Sequence, residues 1–194
     1  MQIYDRLKEI FSKLQPYNGR WAICGGIAAC LYRAEPRYTG DIDIVLGSLP
    51  TAEARELAEK LLSSLGYQPK LGFLQGLEGV LIKGPALIMA REDNLKEFVG
   101  IDFLLPVQAW IDPAVRRAQN NLIDFGFSEI PTITPEDLIV AKLFALHSSP
   151  KRPYDIDDVQ SILSNLKDID SEYILQAIDK YGLKVPSEID LSGI

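Results

Sequence analysis

One stretch constrains the fold more than any other: residues 21–46, WAICGGIAACLYRAEPRYTGDIDIVL. Residues 21–24 read as a short buried strand. Gly25-Gly26 follows at once, residues 27–33 read as a helix of small residues, and residues 38–40 form a loop. Residues 41–46 return to a strand in which apolar and β-branched side chains alternate with acids. Neighbouring side chains in a strand point to opposite faces, so Asp41 and Asp43 share one face and Ile42 and Ile44 the other. Two carboxylates on one face repel each other and are costly beside a core. A bound divalent cation removes that cost. Mg²⁺ takes oxygen ligands and leaves its remaining places to waters and substrate phosphates. The plain alternative is a pair of acids on an exposed strand face or at a turn.

The glycines suit the same chemistry. A Gly-Gly pair lets the backbone approach a ligand closely, and free N–H groups at a helix start suit a phosphate. By itself such a pair is more often a tight turn; two acids downstream reverse that balance. Arg37 and Thr39 stand just before the acids, where they can add phosphate contacts. Arg37 has a surface salt bridge as its alternative role, and Thr39 the shaping of the turn. Asp102 interrupts the apolar run of residues 99–105, and a lone acid in a buried strand needs a reason. A structural arginine partner is one. A neighbouring strand that sets Asp102 beside Asp41 and Asp43 is the other, and it would complete a three-carboxylate site. Two metal ions about 3.5–4 Å apart there could activate a hydroxyl and stabilise a leaving pyrophosphate.

Around this unit the chain alternates. Ile3, Leu7, Ile10, Phe11 and Leu14 recur at helical spacing among charged residues, which predicts an amphipathic first helix and not a signal peptide. Thr51 is placed to cap a helix over residues 52–65, stopped by Gly66. Residues 71–74, 80–83, 86–90 and 99–104 are short apolar runs that predict strands. Asp112-Pro113 reads as the cap and first position of a short helix. Residues 122–130 read as a strand or hairpin. Thr134-Pro135-Glu136-Asp137 is a strong helix start, continued by residues 138–146. Two more helices are expected around residues 155–166 and 171–181, closed by Gly182 and Pro186. The fold class is therefore α+β: a mixed β-sheet flanked by helices over residues 1–133, then a helical region over 134–194 packed on it.

These residues resemble a known family. Gly-Gly, a short helix, Arg37-Tyr38-Thr39-Gly40-Asp41-Ile42-Asp43 and the later Asp102 look like the nucleotidyltransferase fold of the DNA polymerase beta superfamily. They most resemble its AbiEii-like, toxin-type branch. Lys142 in LIVAKLFAL and the string Arg152-Pro153-Tyr154-Asp155-Ile156-Asp157-Asp158 fit the same pattern, so the likeness spans about residues 20–166. The resemblance implies transfer of a nucleoside monophosphate from an NTP to a hydroxyl. It implies Asp41, Asp43 and Asp102 as ligands of Mg²⁺ (two ions, with Mn²⁺ as the substitute), Asp102 also assisting the attacking hydroxyl. Gly25 and Gly26 would hold the triphosphate, Lys142 would contact phosphate, and Asp155 or Asp158 would be accessory. Many members carry Gly-Ser where this chain has Gly25-Gly26, so a serine contact to phosphate is absent. The toxin-type likeness implies an RNA, tRNA or protein acceptor and an antitoxin partner. Two rival readings share the fold: a non-catalytic nucleotide- or protein-binding module, and an aminoglycoside-type enzyme acting on a cationic small molecule.

Composition narrows the rest. Lys and Arg number 20 against 27 Asp and Glu, a formal net charge of −7. Affinity for nucleic acid comes largely from cations that displace counterions, so any RNA contact must be local. Arg116-Arg117 and Lys151-Arg152 are the candidates for such a contact, with a solvated face as their alternative. A single histidine, His147, excludes multi-histidine zinc sites. Cys24 and Cys30 are too few for a disulfide framework and read as small hydrophobes. Without an apolar run of 18 residues no membrane span is expected, and a reduced, cytoplasmic protein is the default. Lys142 has an alternative as a snorkelling lysine. Asp155 and Asp158 share a helix face near its start, where acids favour the macrodipole without any further role.

Overall fold

The structure, a computed structural model, describes residues 3–73, 84–90 and 99–191. In chain order the elements are α1 (Ile3–Leu14), β1 (Trp21–Cys24), α2 (Gly25–Tyr32), β2 (Asp41–Leu46), α3 (Thr51–Ser64), β3 (Lys70–Gly72), β4 (Leu87–Ala90) and β5 (Gly100–Leu104). Then come α4 (Ile111–Ala118), β6 (Leu122–Asp124), β7 (Glu129–Pro131), α5 (Pro135–Ser148), α6 (Pro153–Asn165) and α7 (Ser171–Tyr181). The fold is α+β. Five strands make one sheet in the order β1-β2-β5-β4-β3, and β6 and β7 form a separate hairpin. Within the sheet β2 and β5 run parallel and the other neighbours antiparallel.

The period of two along each strand separates the two faces. On one face Trp21, Ile23, Ile42, Ile44, Leu46, Ile88, Ile101 and Phe103 pack with Leu7, Ile10 and Leu14 of α1 and Leu57, Leu61 and Leu62 of α3. On the other face Ala22, Cys24 and Val45 pack with α2, α4, α5, α6 and α7 in one continuous cluster. The helices at residues 135–181 thus close over the face that carries Asp41, Asp43 and Asp102. Among the described residues, no helix is long and apolar enough to cross a membrane.

Several local expectations are met where the chemistry is strong. Thr134 caps α5, its Oγ1 accepting from the Asp137 N–H at 3.3 Å, with Pro135 in the first position. Gly182 ends α7 in the left-handed region at φ 60°. Others shift. The Gly25-Gly26 pair does not precede the second helix but forms its first turn, with Cys24 at the cap position. Thr51 is already helical, Pro50 sits at the cap position, and no side chain caps α3. Helix α4 starts at Ile111, before the expected Asp112-Pro113 cap. Asp112 instead accepts from the Ser48 N–H at 2.8 Å and so braces the turn after β2. Strand β3 spans Lys70–Gly72, starting one residue before the expected run. The strand expected at residues 80–83 and the end of the 71–74 run lie outside the described residues.

Candidate active site

The site is built by register. Asp43 of β2 pairs with Asp102 of the parallel neighbour β5, and Asp41 pairs with Gly100. Across the sheet the row runs Cys24, Asp43, Asp102, Met89, Lys70, all on one face. Parallel pairing therefore brings Asp102 beside Asp41 and Asp43, about sixty residues earlier in the chain. Gly100 makes room for this: a Cβ there would stand 2.2 Å from Asp41 Oδ1. Sequence reasoning missed this glycine, because a Gly opening an apolar run is ordinary until the strand beside it is known.

Gly25 has φ +61°, a conformation that strains any side-chain-bearing residue, and a Cβ at this position would lie 1.9 Å from Asp43 Oδ2. The Gly26 N–H donates to Asp43 Oδ2 at 3.3 Å. A Cβ at Gly26 would meet Thr39 Oγ1 at 2.4 Å. Only glycines allow the start of α2 to lie against Asp43 and Thr39. The helix start thus faces the acids with backbone N–H groups, the arrangement that suits an anion.

Electrostatics mark the centre of the row. Burial, then the neighbouring charges of Asp102 and Asp41, push the Asp43 carboxyl up from 3.8 to about 6, against the pull of the Gly26 N–H and Lys142. The same burial, with Asp43 beside it, pushes the Cys24 thiol well up, so Cys24 is a neutral, small apolar group. Among the described residues no three or more His, Cys, Asp or Glu side chains are gathered tightly enough to enclose a metal ion. The expected three carboxylates thus stand as an in-register pair, Asp43 and Asp102, with Asp41 one step along the same face, and not as a closed cage. Catalytic Mg²⁺ asks for less, binding through one or two carboxylates with substrate phosphates and water. The donor set Asp41, Asp43 and Asp102 fits it chemically: hard oxygens, crowded negative charge and open space in front.

That space is a cleft of about 740 Å³. Gly25, Gly26, Arg37, Thr39, Asp41, Asp43, Asp102, Lys142 and Asp155 all line it. Of the expected site residues only Asp158 does not; it lies fully buried behind the wall. The wall itself is an ion cluster. Lys142 Nζ binds Asp155 Oδ1 at 2.8 Å and Asp158 Oδ2 at 2.7 Å. Arg37 grips Asp158 with two bonds, Nε to Oδ1 at 2.8 Å and Nη2 to Oδ2 at 2.7 Å. Its guanidinium also lies over the Tyr154 ring, 5.3 Å from the centroid. Burial works against the Asp158 charge, but hydrogen bonds and charge from Arg37 and Lys142 hold its carboxyl down at about 2. Asp155 and Asp158 are therefore more than helix-start acids: they anchor the cations of the wall. Arg33, which sequence reasoning did not select, joins the cluster through Nη1, 2.6 Å from Asp158 Oδ1.

Cys24 and Arg152 also line the cleft, whereas Cys30, Arg116, Arg117, His147 and Lys151 do not. His147 accepts from the Lys184 N–H at 3.1 Å, a structural bond. Arg117 is committed to Asp137 and Tyr173.

The fold carrying this site is shared with solved structures. The solution structure of ANT(2″)-Ia, an antibiotic-resistance factor, matches over 92% of this chain and 90% of its own, at TM-score 0.58 and 14% identity. The crystal structure of ANT(2″)-Ia in complex with adenylyl-2″-tobramycin matches over 92% and 96%, at TM-score 0.59 and 14% identity. A nucleotidyltransferase-like antigenic protein from Paracoccidioides brasiliensis matches over 91% and 85%, at TM-score 0.51 and 21% identity. The fold is that of the nucleotidyltransferases. More narrowly, residues 9–192 match the family model described as nucleotidyl transferase AbiEii toxin, type IV TA system, and the chain belongs to that family. It is a nucleotidyltransferase. No curated protein matches the sequence.

Proposed function

We propose that this enzyme moves a nucleoside monophosphate from an NTP to a hydroxyl of an RNA or protein acceptor, with Mg²⁺, as the toxin of a toxin–antitoxin pair. The observation that carries the reading is the register of Asp43 with Asp102, Asp41 one step along, set against the glycine-built start of α2 in the lining of one cleft. In the reaction the acceptor oxygen bonds to the α-phosphorus in line. The bond from that phosphorus to the bridging oxygen breaks, and pyrophosphate leaves.

Each residue has a task. Asp41 and Asp43 would hold the metal, which neutralises the phosphate oxygens as charge builds on the leaving group. Asp102 takes the proton from the attacking hydroxyl. The N–H groups at Gly25 and Gly26 cradle phosphate oxygens, with Thr39 and Arg37 beside them and Lys142 also in the cleft lining. The family name supports an antitoxin partner that restrains this activity. A need for NTPs fits the cytoplasm.

The test is incorporation of label from each α-labelled NTP, with Mg²⁺ or Mn²⁺, into total RNA, lysate protein and an aminoglycoside. Label on RNA or protein, lost in the Asp41→Asn, Asp43→Asn double variant, is the expected result. Label confined to the aminoglycoside would replace the macromolecular acceptor with a cationic sugar. NTP binding with no transfer to any acceptor would revive the non-catalytic module.

A further inference from the structure

The wall of the cleft raises a difficulty that the phosphate reading must meet. Two of its cations, Lys142 and Arg37, are already engaged by carboxylates. A triphosphate can use them only by competing with Asp155 and Asp158. Removing a partner from a buried carboxylate is strongly unfavourable unless another cation remains.

The cluster supplies that other cation in each case. Asp155 is also bound by Arg152 Nε. Asp158 is also bound by Arg33, whose Nη1 reaches Asp158 Oδ1 at 2.6 Å and Asp157 Oδ2 at 2.7 Å. Four cations (Arg33, Arg37, Lys142 and Arg152) therefore face three carboxylates (Asp155, Asp157 and Asp158). Arg33 follows α2 directly and does not line the cleft. Its side chain is 10% exposed, while that of Asp158 has no exposure at all. It shares Asp158 Oδ1 with Arg37 while standing outside the cleft lining.

We propose that Arg33 is a positioning residue for polyphosphate binding: by neutralising Asp158 from outside the cleft, it leaves Lys142 and Arg37 free to turn toward a triphosphate. The inference rests on the reading of the cleft as an NTP site. Without Arg33, the buried Asp158 depends on the two cleft cations alone and holds them back. The fraction of molecules with those cations available falls, and apparent affinity falls by the same factor.

The probe is inorganic triphosphate with Mg²⁺, titrated calorimetrically into the whole protein, with each NTP as a second series. Arg33→Met is expected to weaken triphosphate binding about tenfold, and to raise KM for the NTP while leaving kcat near the parent value. Arg33→Lys, which keeps the charge, should lose less, and it serves in place of Arg33→Met if that variant does not fold. The decisive variant adds Asp158→Asn to Arg33→Met. A neutral amide no longer holds Lys142 and Arg37, so affinity should return toward the parent. A merely structural role predicts no such recovery of triphosphate affinity in the double variant. Parent-like binding in both Arg33 variants, or a double variant no tighter than Arg33→Met, would overturn the proposal. Failure of the parent protein itself to bind triphosphate would overturn the NTP reading, and this inference with it.

Discussion

Asp43 carries the largest electrostatic conflict in the site, and its sign can be measured. Its folded-state carboxyl titrates at about 6 against an ordinary 3.8, raised by burial and then by Asp102 and Asp41. Between about pH 4 and 6 the folded protein keeps a proton that the unfolded chain has released. Stability therefore falls as pH rises through that window, and the whole penalty stands above it. Its ceiling is about 3 kcal/mol. Asp43→Asn removes the charge and keeps an acceptor for the Gly26 N–H. In chelator-treated protein this variant is expected to melt several degrees above the parent at pH 7.5, with the gain shrinking toward pH 4.5. A gain independent of pH across thermal melts would show that charge crowding is not the cause. Residues of this kind were legible in the sequence because an acid inside an apolar strand contradicts its surroundings: Asp41, Asp43 and Asp102 each break a local pattern. Gly100 and Arg33 break none. Glycine at a strand start and arginine at a helix end are ordinary, and their roles exist only once β5 lies beside β2 and α6 lies against α2.

Elements were legible where side chains act on their own backbone. The Thr134-Pro135 start of α5 and the Gly182 stop of α7 are local bonds and local dihedrals, so the sequence contains them. The start of α4 was not, because Asp112 is drawn away by the Ser48 N–H from another part of the chain. One residue of α5 ties three helices together. Asp137, fully buried, accepts from Arg117 of α4 through Nε at 2.8 Å, from the Tyr173 hydroxyl of α7 at 2.7 Å, and from Thr134 Oγ1 at 3.2 Å. Asp137→Ala strands the Tyr173 hydroxyl, while Arg117, partly exposed, can turn to water. A loss of about 2 kcal/mol is expected, or roughly 6 °C in Tm for a chain of this size. Asp137 stands outside the cleft lining. Denaturant melts should therefore record a lower midpoint while transfer activity at low temperature stays close to the parent. A large activity loss in the folded variant would mean that this junction also shapes the cleft.

At the scale of the whole molecule, the strand order β1-β2-β5-β4-β3 was not legible. Each strand is six residues or fewer. Runs that short carry a face pattern but no address for a partner; only the acid at Asp102 pointed to β5 beside β2, and nothing placed β3 and β4. The division into a sheet region to residue 133 and a helical region beyond it follows the change in pattern along the chain, yet packing crosses it. Ala22, Cys24 and Val45 of the sheet and Ala28, Ala29 and Tyr32 of α2 share one cluster with Leu138, Leu143, Val159, Ile162 and Ile174. The Tyr32 hydroxyl donates to the Ile133 carbonyl at 2.8 Å, and the Asn165 side chain donates to the Tyr32 carbonyl at 3.0 Å. The ion cluster at Asp158 crosses the same boundary. A fragment ending at residue 133 would expose the apolar face of α2 and leave Arg33 and Arg37 without Asp158. The two regions should therefore unfold together. Calorimetry on the whole chain is expected to give one transition whose calorimetric and van't Hoff enthalpies agree. The 1–133 fragment should give no cooperative melt. Two resolved transitions, or a fragment that melts cooperatively on its own, would make the C-terminal helices a separate unit. The cleft, whose cationic wall they supply, would then be an interface between domains and not a pocket in one core.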